Sequence, residues 1–146
     1  MSYSVALSQS LEILSYIELK TKFGEAKYLT IKQISEKLTI PVPSVKRLVG
    51  LLKRANLIES KKGVNGGLSL TRPAQDISLY EVFDAVEGQN AMFKIHENFD
   101  TDKFIHQEEA ETMLFRINQI LSSAEKAMHD ELKKETLSDL FQKNAE

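Results

Sequence analysis

The chain has 146 residues, 42% hydrophobic and 27% charged, with a formal net charge of −2 and neither cysteine nor tryptophan. This composition supports one compact domain with an appended helix, and no apolar run is long enough to span a membrane. The lack of thiols excludes disulfides, thiol-based oxidation sensing and an iron–sulfur cluster on cysteine ligands.

The first residues, Met1, Ser2, Tyr3 and Ser4, carry no signal-peptide pattern, which predicts a cytoplasmic protein. Val5, Leu7, Leu11, Leu14 and Ile17 then recur at helical spacing and predict a leading helix packed beneath the elements that follow. Between Leu29 and Leu57 two helical patterns flank a break. Thr30 and Gln33 form a capping box and Ile31, Ile34 and Leu38 supply one apolar face, so a helix is predicted from Thr30 to Leu38. Thr39, Ile40, Pro41, Val42 and Pro43 cannot continue it, because two prolines remove amide donors and push their predecessors towards extended geometry. Pro43 suits the first position of a second helix, whose buried stripe is Val45, Leu48, Val49, Leu51, Leu52 and Ala55. Ser44, Lys46, Arg47, Lys53 and Arg54 are left on its outer face. Asn56 stands where that helix needs a residue tolerant of the left-handed conformation, and Leu57 with Ile58 opens a strand.

Ser60 to Arg72 reads as a glycine-rich basic hairpin. Asn65 followed by Gly66 is the strongest short-range hairpin signal, since both tolerate the positive φ of a tight primed turn, and Gly63 and Gly67 relax the flanks. The tip is then bare backbone among Lys61, Lys62 and Arg72, a surface that suits a phosphate backbone or a minor groove. Taken alone, an ordinary surface turn explains it equally well. The basic helix in front of it decides for a winged helix-turn-helix.

Ser78 and Glu81 form a second capping box and open a short helix through Val82, Phe83 and Val86 that ends at Gly88. The loop from Gln89 to Gln107 holds His96, Glu97, Asp100, Asp102 and His106, but their spacing matches no established metal-ligand pattern and they read as exposed polar residues. Met92, Phe93, Ile95, Phe99, Phe104 and Ile105 read as a small core beneath the loop or the lining of an apolar effector pocket, the core being the reading preferred. From Glu108 to Lys133, 26 residues, Ala110, Leu114, Ile117, Leu121, Ala124 and Met128 alternate spacings of four and three, the 3.5 repeat of a helix seam ~39 Å long. A helix of that length on a short chain is expected to bury its stripe in a second subunit. Thr136 with Asp139, then Leu137, Leu140 and Phe141, predict a final short helix, and Lys143 to Glu146 are expected to fray. No grouping of side chains suggests catalysis, so an enzyme is not expected.

Charge is segregated along the chain. Residues 1–75 hold twelve Lys and Arg against five acids, a balance of +7, whereas the remainder holds seven against sixteen, a balance of −9. A basic lobe joined to an acidic one fits a DNA reader with a separate assembly region.

Ser44 to Leu48 (Ser-Val-Lys-Arg-Leu), Leu52 to Ile58 (Leu-Lys-Arg-Ala-Asn-Leu-Ile), Ser60 to Gly67 (Ser-Lys-Lys-Gly-Val-Asn-Gly-Gly), Leu70 to Pro73, Asp76 to Leu79 and Val86 to Gly88 form a composite motif. It resembles the Rrf2 family of bacterial winged helix-turn-helix transcriptional regulators, which includes the iron–sulfur cluster regulator, the nitric-oxide-sensitive repressor and the cysteine-metabolism repressor. The resemblance spans nearly the whole chain and implies a leading helix, a sensor-position loop and a long dimerisation helix. The family usually has Gly where Asn56 stands, Arg where Lys62 stands and an aromatic where Leu68 stands. Many members hold their cluster on three cysteines in that loop, an input this cysteine-free chain lacks.

The fold expected is mainly α with a small β-hairpin wing, divided into a winged-helix DNA-binding domain (1–88), an effector-position loop (89–107) and a dimerisation helix with a C-terminal helix (108–146). The function expected is a homodimeric, sequence-specific transcriptional repressor on a palindromic operator, with no cofactor or metal. Ser44, Lys46, Arg47, Lys53, Lys61, Lys62, Asn65, Gly66 and Gly67 are the expected DNA contacts. Double-stranded DNA, a second copy of the chain, and a small-molecule effector or protein are the partners considered, with no membrane. The alternative is a winged-helix interaction module that signals through an enzyme partner.

Overall fold

The computed structural model describes residues 4–143, so Lys143 is described and the rest of the segment expected to fray lies outside the described residues. Helix α1 (Ala6–Lys22) buries Ala6, Ser10, Ile13, Leu14 and Ile17. The inward stripe is therefore rotated from the expected one: Val5 precedes the helix and is 66% exposed, while Leu7 and Leu11 sit half-buried at the edge. The small side chains of Ala6 and Ser10 let α1 lie close to its neighbours, which a period count on large apolar residues alone does not register.

Helix α2 (Ile31–Leu38) starts at the predicted capping box, with Gln33 N–H donating to Thr30 Oγ1 at 3.1 Å and Thr30 N–H to Gln33 Oε1 at 2.8 Å. Thr39 turns left-handed (φ 55°), and Ser35 fastens the turn by donating its hydroxyl to Ile40 O at 2.6 Å. Helix α3 (Val42–Arg54) begins one residue earlier than predicted, so Pro43 takes the second position, where an N–H also lacks a helical partner. Val45, Leu48, Val49 and Leu52 are buried as expected, but Ala55 is exposed because the helix has already stopped there. Asn56 takes φ 60°, its N–H bonding Lys53 O and the Leu57 N–H bonding Leu52 O, both at 2.9 Å, a Schellman ending.

Strands β1 (Ile58–Lys61) and β2 (Gly67–Leu70) pair antiparallel, Ile58 facing Leu70 and Lys61 facing Gly67. Leu29 adds a single bridge to the other edge, exchanging hydrogen bonds of 3.0 and 2.7 Å with Leu68. The turn differs from the predicted primed Asn65–Gly66 pair. Neither residue has positive φ; the left-handed positions are Gly63 (φ 111°) and Gly67 (φ 147°), and Gly66 N–H bonds Gly63 O at 3.0 Å. Five residues lie between the strands, so the backbone is reversed by the flanking glycines and not by the central pair.

Helix α4 (Leu79–Glu87) opens on the second predicted capping box and ends at Gly88, which stays right-handed (φ −61°). Buried Glu87 accepts from the N–H and hydroxyl of Ser4 at 3.2 and 2.9 Å, tying the start of the chain to α4. Helix α5 (Gln107–Lys133) runs 27 residues. After it the chain returns to the start of α4, where Leu79 N–H bonds Glu135 O and Leu137 N–H bonds Ile77 O, and Leu137 enters the core fully buried. The predicted last helix is a 3-10 turn, Ser138–Phe141, with Thr136 and Asp139 capping each other.

Arg72 donates to Asp76 O at 2.7 Å and to Glu81 Oε1 at 2.6 Å. That pair, with the Ser78 bonds to the same carboxyl, holds Glu81 below its ordinary value of 4.5. Stability from the pair is present above 4.5 and is lost as pH falls through the lower folded-state value. Thermal melts are therefore expected to separate wild type from Glu81→Gln near neutral pH and to converge at strongly acid pH; an equal gap at both would contradict the pairing.

Candidate nucleic-acid interface

Val45, Leu48, Val49 and Leu52 anchor α3 in the core and so fix what its other side shows. Lys46 and Arg47 are exposed in its first turns and Ser44 is half-buried beside them. Lys46 and Lys53 are seven residues apart, two turns, and share one face about 10 Å apart along the axis. At its far end Lys53 donates to Ser60 Oγ at 3.0 Å, joining the helix to β1 of the wing. Among the described residues no acid pairs with Lys46, Arg47 or Lys53, whereas elsewhere Lys20 pairs with Glu25. One continuous cationic strip thus runs along α3 into the hairpin.

The hairpin loop exposes Lys61, Lys62, Val64 and Asn65, with Gly66 and Gly67 partly covered. Gly66 and Gly67 are required by contact, and Gly63 by its positive φ alone. A Cβ on Gly66 would stand 2.0 Å from Lys61 O, and one on Gly67 would stand 2.7 Å from Leu29 O. The tip is therefore thin, with backbone close to its surface, as approach to a phosphate or groove requires. Arg72, expected among the tip cations, is instead committed to Asp76 and Glu81 at the foot of α4.

Tyr28 and its neighbour Lys27 belong to this surface and were not singled out in the sequence. The Lys61 and Lys27 ammonium groups lie 5.3 and 5.9 Å from the Tyr28 ring centroid. Only the single bridge at Leu29 brings Tyr28 alongside the wing, and one residue of pairing leaves no periodicity to read.

The loop after α4 lies against α5. Met92 N–H bonds Glu125 Oε1 at 2.8 Å, and Phe99 stacks on Phe104 at 5.5 Å. None of the six residues expected to form a core under this loop is buried: Met92, Phe93 and Phe99 are half-buried, while Ile95, Phe104 and Ile105 are exposed, because α5 covers the loop on one side only. Two open clefts remain: one of about 480 Å³ between Phe93 and Ile95 and the α5 residues Leu121, Glu125 and His129, and one of about 310 Å³ between Phe99 and Leu114. Among the described residues no three metal-binding side chains converge, and His96 packs edge-on to Phe99. The stripe expected to join two subunits is divided: Ala110 is buried and Leu114, Leu121 and Met128 are half-buried, while Ile117 and Ala124 are exposed.

A helix-turn-helix followed by a β-hairpin and a basic strip defines a winged-helix DNA-binding protein. The family model described as Rrf2, iron-dependent transcriptional regulator, matches residues 3–143, and the chain belongs to this family as a DNA-binding transcriptional regulator. It is 29% identical to YwnA of Bacillus subtilis, an HTH-type regulator by name, over 92% of this chain and 93% of YwnA. It is 36% identical to YwgB of the same organism, also an HTH-type regulator by name, over 57% of this chain and 53% of YwgB. The chain thus spans about half the length of YwgB and nearly all of YwnA. Its fold is shared with T. potens IscR (TM-score 0.67, 21% identity, 96% and 85% covered). It is shared also with the global cysteine regulator CymR of B. subtilis (TM-score 0.66, 22% identity, 96% and 95% covered). No helix among the described residues is long and apolar enough to cross a membrane.

Gly66→Ala is expected to destabilise the chain by about 1–3 kcal/mol, since the added carbon meets backbone and not a movable side chain. Thermal or urea unfolding checks this, and an unchanged midpoint would show that the loop relaxes freely.

Proposed function

We propose that this regulator is a homodimeric repressor that reads a palindromic operator, with α3 in the major groove and the hairpin against the adjoining backbone. The observation that carries the reading is the cationic strip on α3, Lys46, Arg47 and Lys53, with which no acid pairs among the described residues, continued by Lys61 and Lys62 on the wing. Ser44, Lys46 and Arg47 approach base edges and phosphates, while Lys61, Lys62, Asn65, Gly66 and Gly67 anchor the wing. Residues 1–88 serve DNA, the 89–107 loop occupies the effector position, and 108–146 serve assembly. Such a protein works in the cytoplasm, where its DNA is.

The family's description names iron, and the side chains here do not fit a cysteine-bound cluster, because the chain has no cysteine. The clefts between the loop and α5 support a different input, a small molecule or a protein, that favours one spacing of the two recognition helices over another.

Assembly through α5 is supported by what that helix leaves uncovered: Met113, Ile117 and Ile120 are 43%, 44% and 55% exposed, at spacings of four and three. Ala124 continues the same line. A second copy of α5 buries this line by pairing seam to seam.

Arg47→Ala is expected to weaken operator binding by about 1–3 kcal/mol, and Lys61→Ala with Lys62→Ala to weaken all sequences alike with a salt slope shallower by about two units. A fluorescence titration measures both, and unchanged affinity and slope would overturn DNA binding by this strip. Ile117→Glu with Ile120→Glu is expected to give monomers in sedimentation while the thermal midpoint holds, since both side chains face away from their own chain's core. A dimer that persists would move the interface off this line.

A further inference from the structure

The outer face of the wing sheet carries a second basic feature, away from the hairpin tip. Leu29 and Leu68 are buried on the inner face, and alternation along β1 turns Lys61 to the outer one, where its ammonium meets the Tyr28 ring. Gly67 faces Lys61 in the register and has no side chain, so that position leaves the lysine free to lean towards the Tyr28 ring. Lys27 places its ammonium over the same ring, 5.9 Å from the centroid against 5.3 Å for Lys61. Among the described residues neither lysine forms an ion pair. Glu25 is held by Lys20 at 2.6 Å, and Glu59, on the same strand face as Lys61, pairs with neither. Two like charges are thus gathered on one aromatic ring, and among the described residues no acid is ion-paired with either. The ring's negative face offsets part of their repulsion, and an anion would relieve the rest.

We propose that Lys27, Tyr28 and Lys61 form a second phosphate-binding site on the flank of the wing, which grips the DNA backbone beside the segment that α3 reads. The proposal rests on the DNA-binding reading above. A DNA phosphate fits better than an isolated anion because the site is continuous with Lys62 and the hairpin, so one backbone can run along both. The lysines make the contact, and Tyr28 is a positioning residue that holds both ammonium groups in place.

The test uses the full chain and a fluorescent random-sequence duplex of about 30 base pairs, titrated at several salt concentrations. Lys27→Ala is expected to make the log–log salt slope shallower by about 0.9, one phosphate's worth. Tyr28→Leu is expected to weaken binding about two- to five-fold, whereas Tyr28→Phe, which keeps the aromatic face, binds as wild type. If Lys27→Ala and Tyr28→Leu both keep wild-type affinity and slope while Lys62→Ala loses them, the flank site is overturned and the DNA-binding reading stands. If the unmodified chain binds no duplex, both fall. Because Lys27→Ala truncates only an exposed side chain, it decides the matter even if Tyr28→Leu lowers the melting temperature.

Discussion

Where Leu29 and Leu68 exchange their backbone hydrogen bonds, position 67 has no room for a side chain, and much of the DNA-facing surface follows from that close approach. The bridge fixes β2 against the residue that precedes α2, and β2 carries β1 with it. Lys53 then reaches Ser60 from the end of α3. Wing and recognition helix are thereby set relative to each other by main-chain contacts at one end and by a side-chain bond at the other. A wing hung only on its connection to α3 would have one fixed point and could swing; with two, its cations keep a defined offset from Lys46 and Arg47.

The elements whose signals are local were legible in the sequence. Thr30 with Gln33 and Ser78 with Glu81 mark helix starts because a side chain and an amide three residues apart satisfy each other, and nothing distant has to agree. Asn56 marks the end of α3 for a similar reason. The hairpin was legible but its turn was not: Asn65 and Gly66 suit a two-residue loop, yet the pairing of Lys61 with Gly67 leaves five residues between the strands and moves the left-handed positions to Gly63 and Gly67. Register is set by which face of each strand is buried, and here burial of Ile58 and Leu68 prevails over the local preference. Arg72 was misread because its partners, Asp76 O and Glu81, are brought to it by the turn between β2 and α4. Tyr28 was missed because a single bridge has no period.

The long helix shows the limit of reading a stripe from spacing. Ala110, Leu114, Leu121 and Met128 lean towards their own chain, while Ile117 and Ala124 look outward with Met113 and Ile120. A seven-residue repeat in sequence does not say which neighbour covers it, and a helix covered on one side by a loop can carry two apolar lines slightly out of phase. In the proposed dimer, loop and partner would share α5. A ligand that displaced Phe93 or Ile95 from their cleft would act on the helix that the proposed assembly also uses, so the two proposals meet on one structural element.

In the proposed dimer, charge segregation would give DNA binding and assembly opposite responses to salt. The basic lobe, +7 over residues 1–75, binds phosphates by releasing counterions, and each contact weakens as salt rises. The remainder of the chain, at −9, would be repelled by DNA while the basic part is attracted, which favours approach with the basic face forward. A dimer formed on α5 brings two such acidic lobes together. Their repulsion reaches across a Debye length of about 8 Å at physiological ionic strength and is screened as salt rises, whereas the apolar seam of Met113, Ile117 and Ile120 is not weakened by screening. The proposed dimer is therefore expected to tighten with salt over the range in which DNA contacts loosen. The salt slope of operator binding, measured at a protein concentration near the dimer's own dissociation constant, is then shallower than the number of phosphate contacts implies, and it steepens to the full value once the chain is fully dimeric.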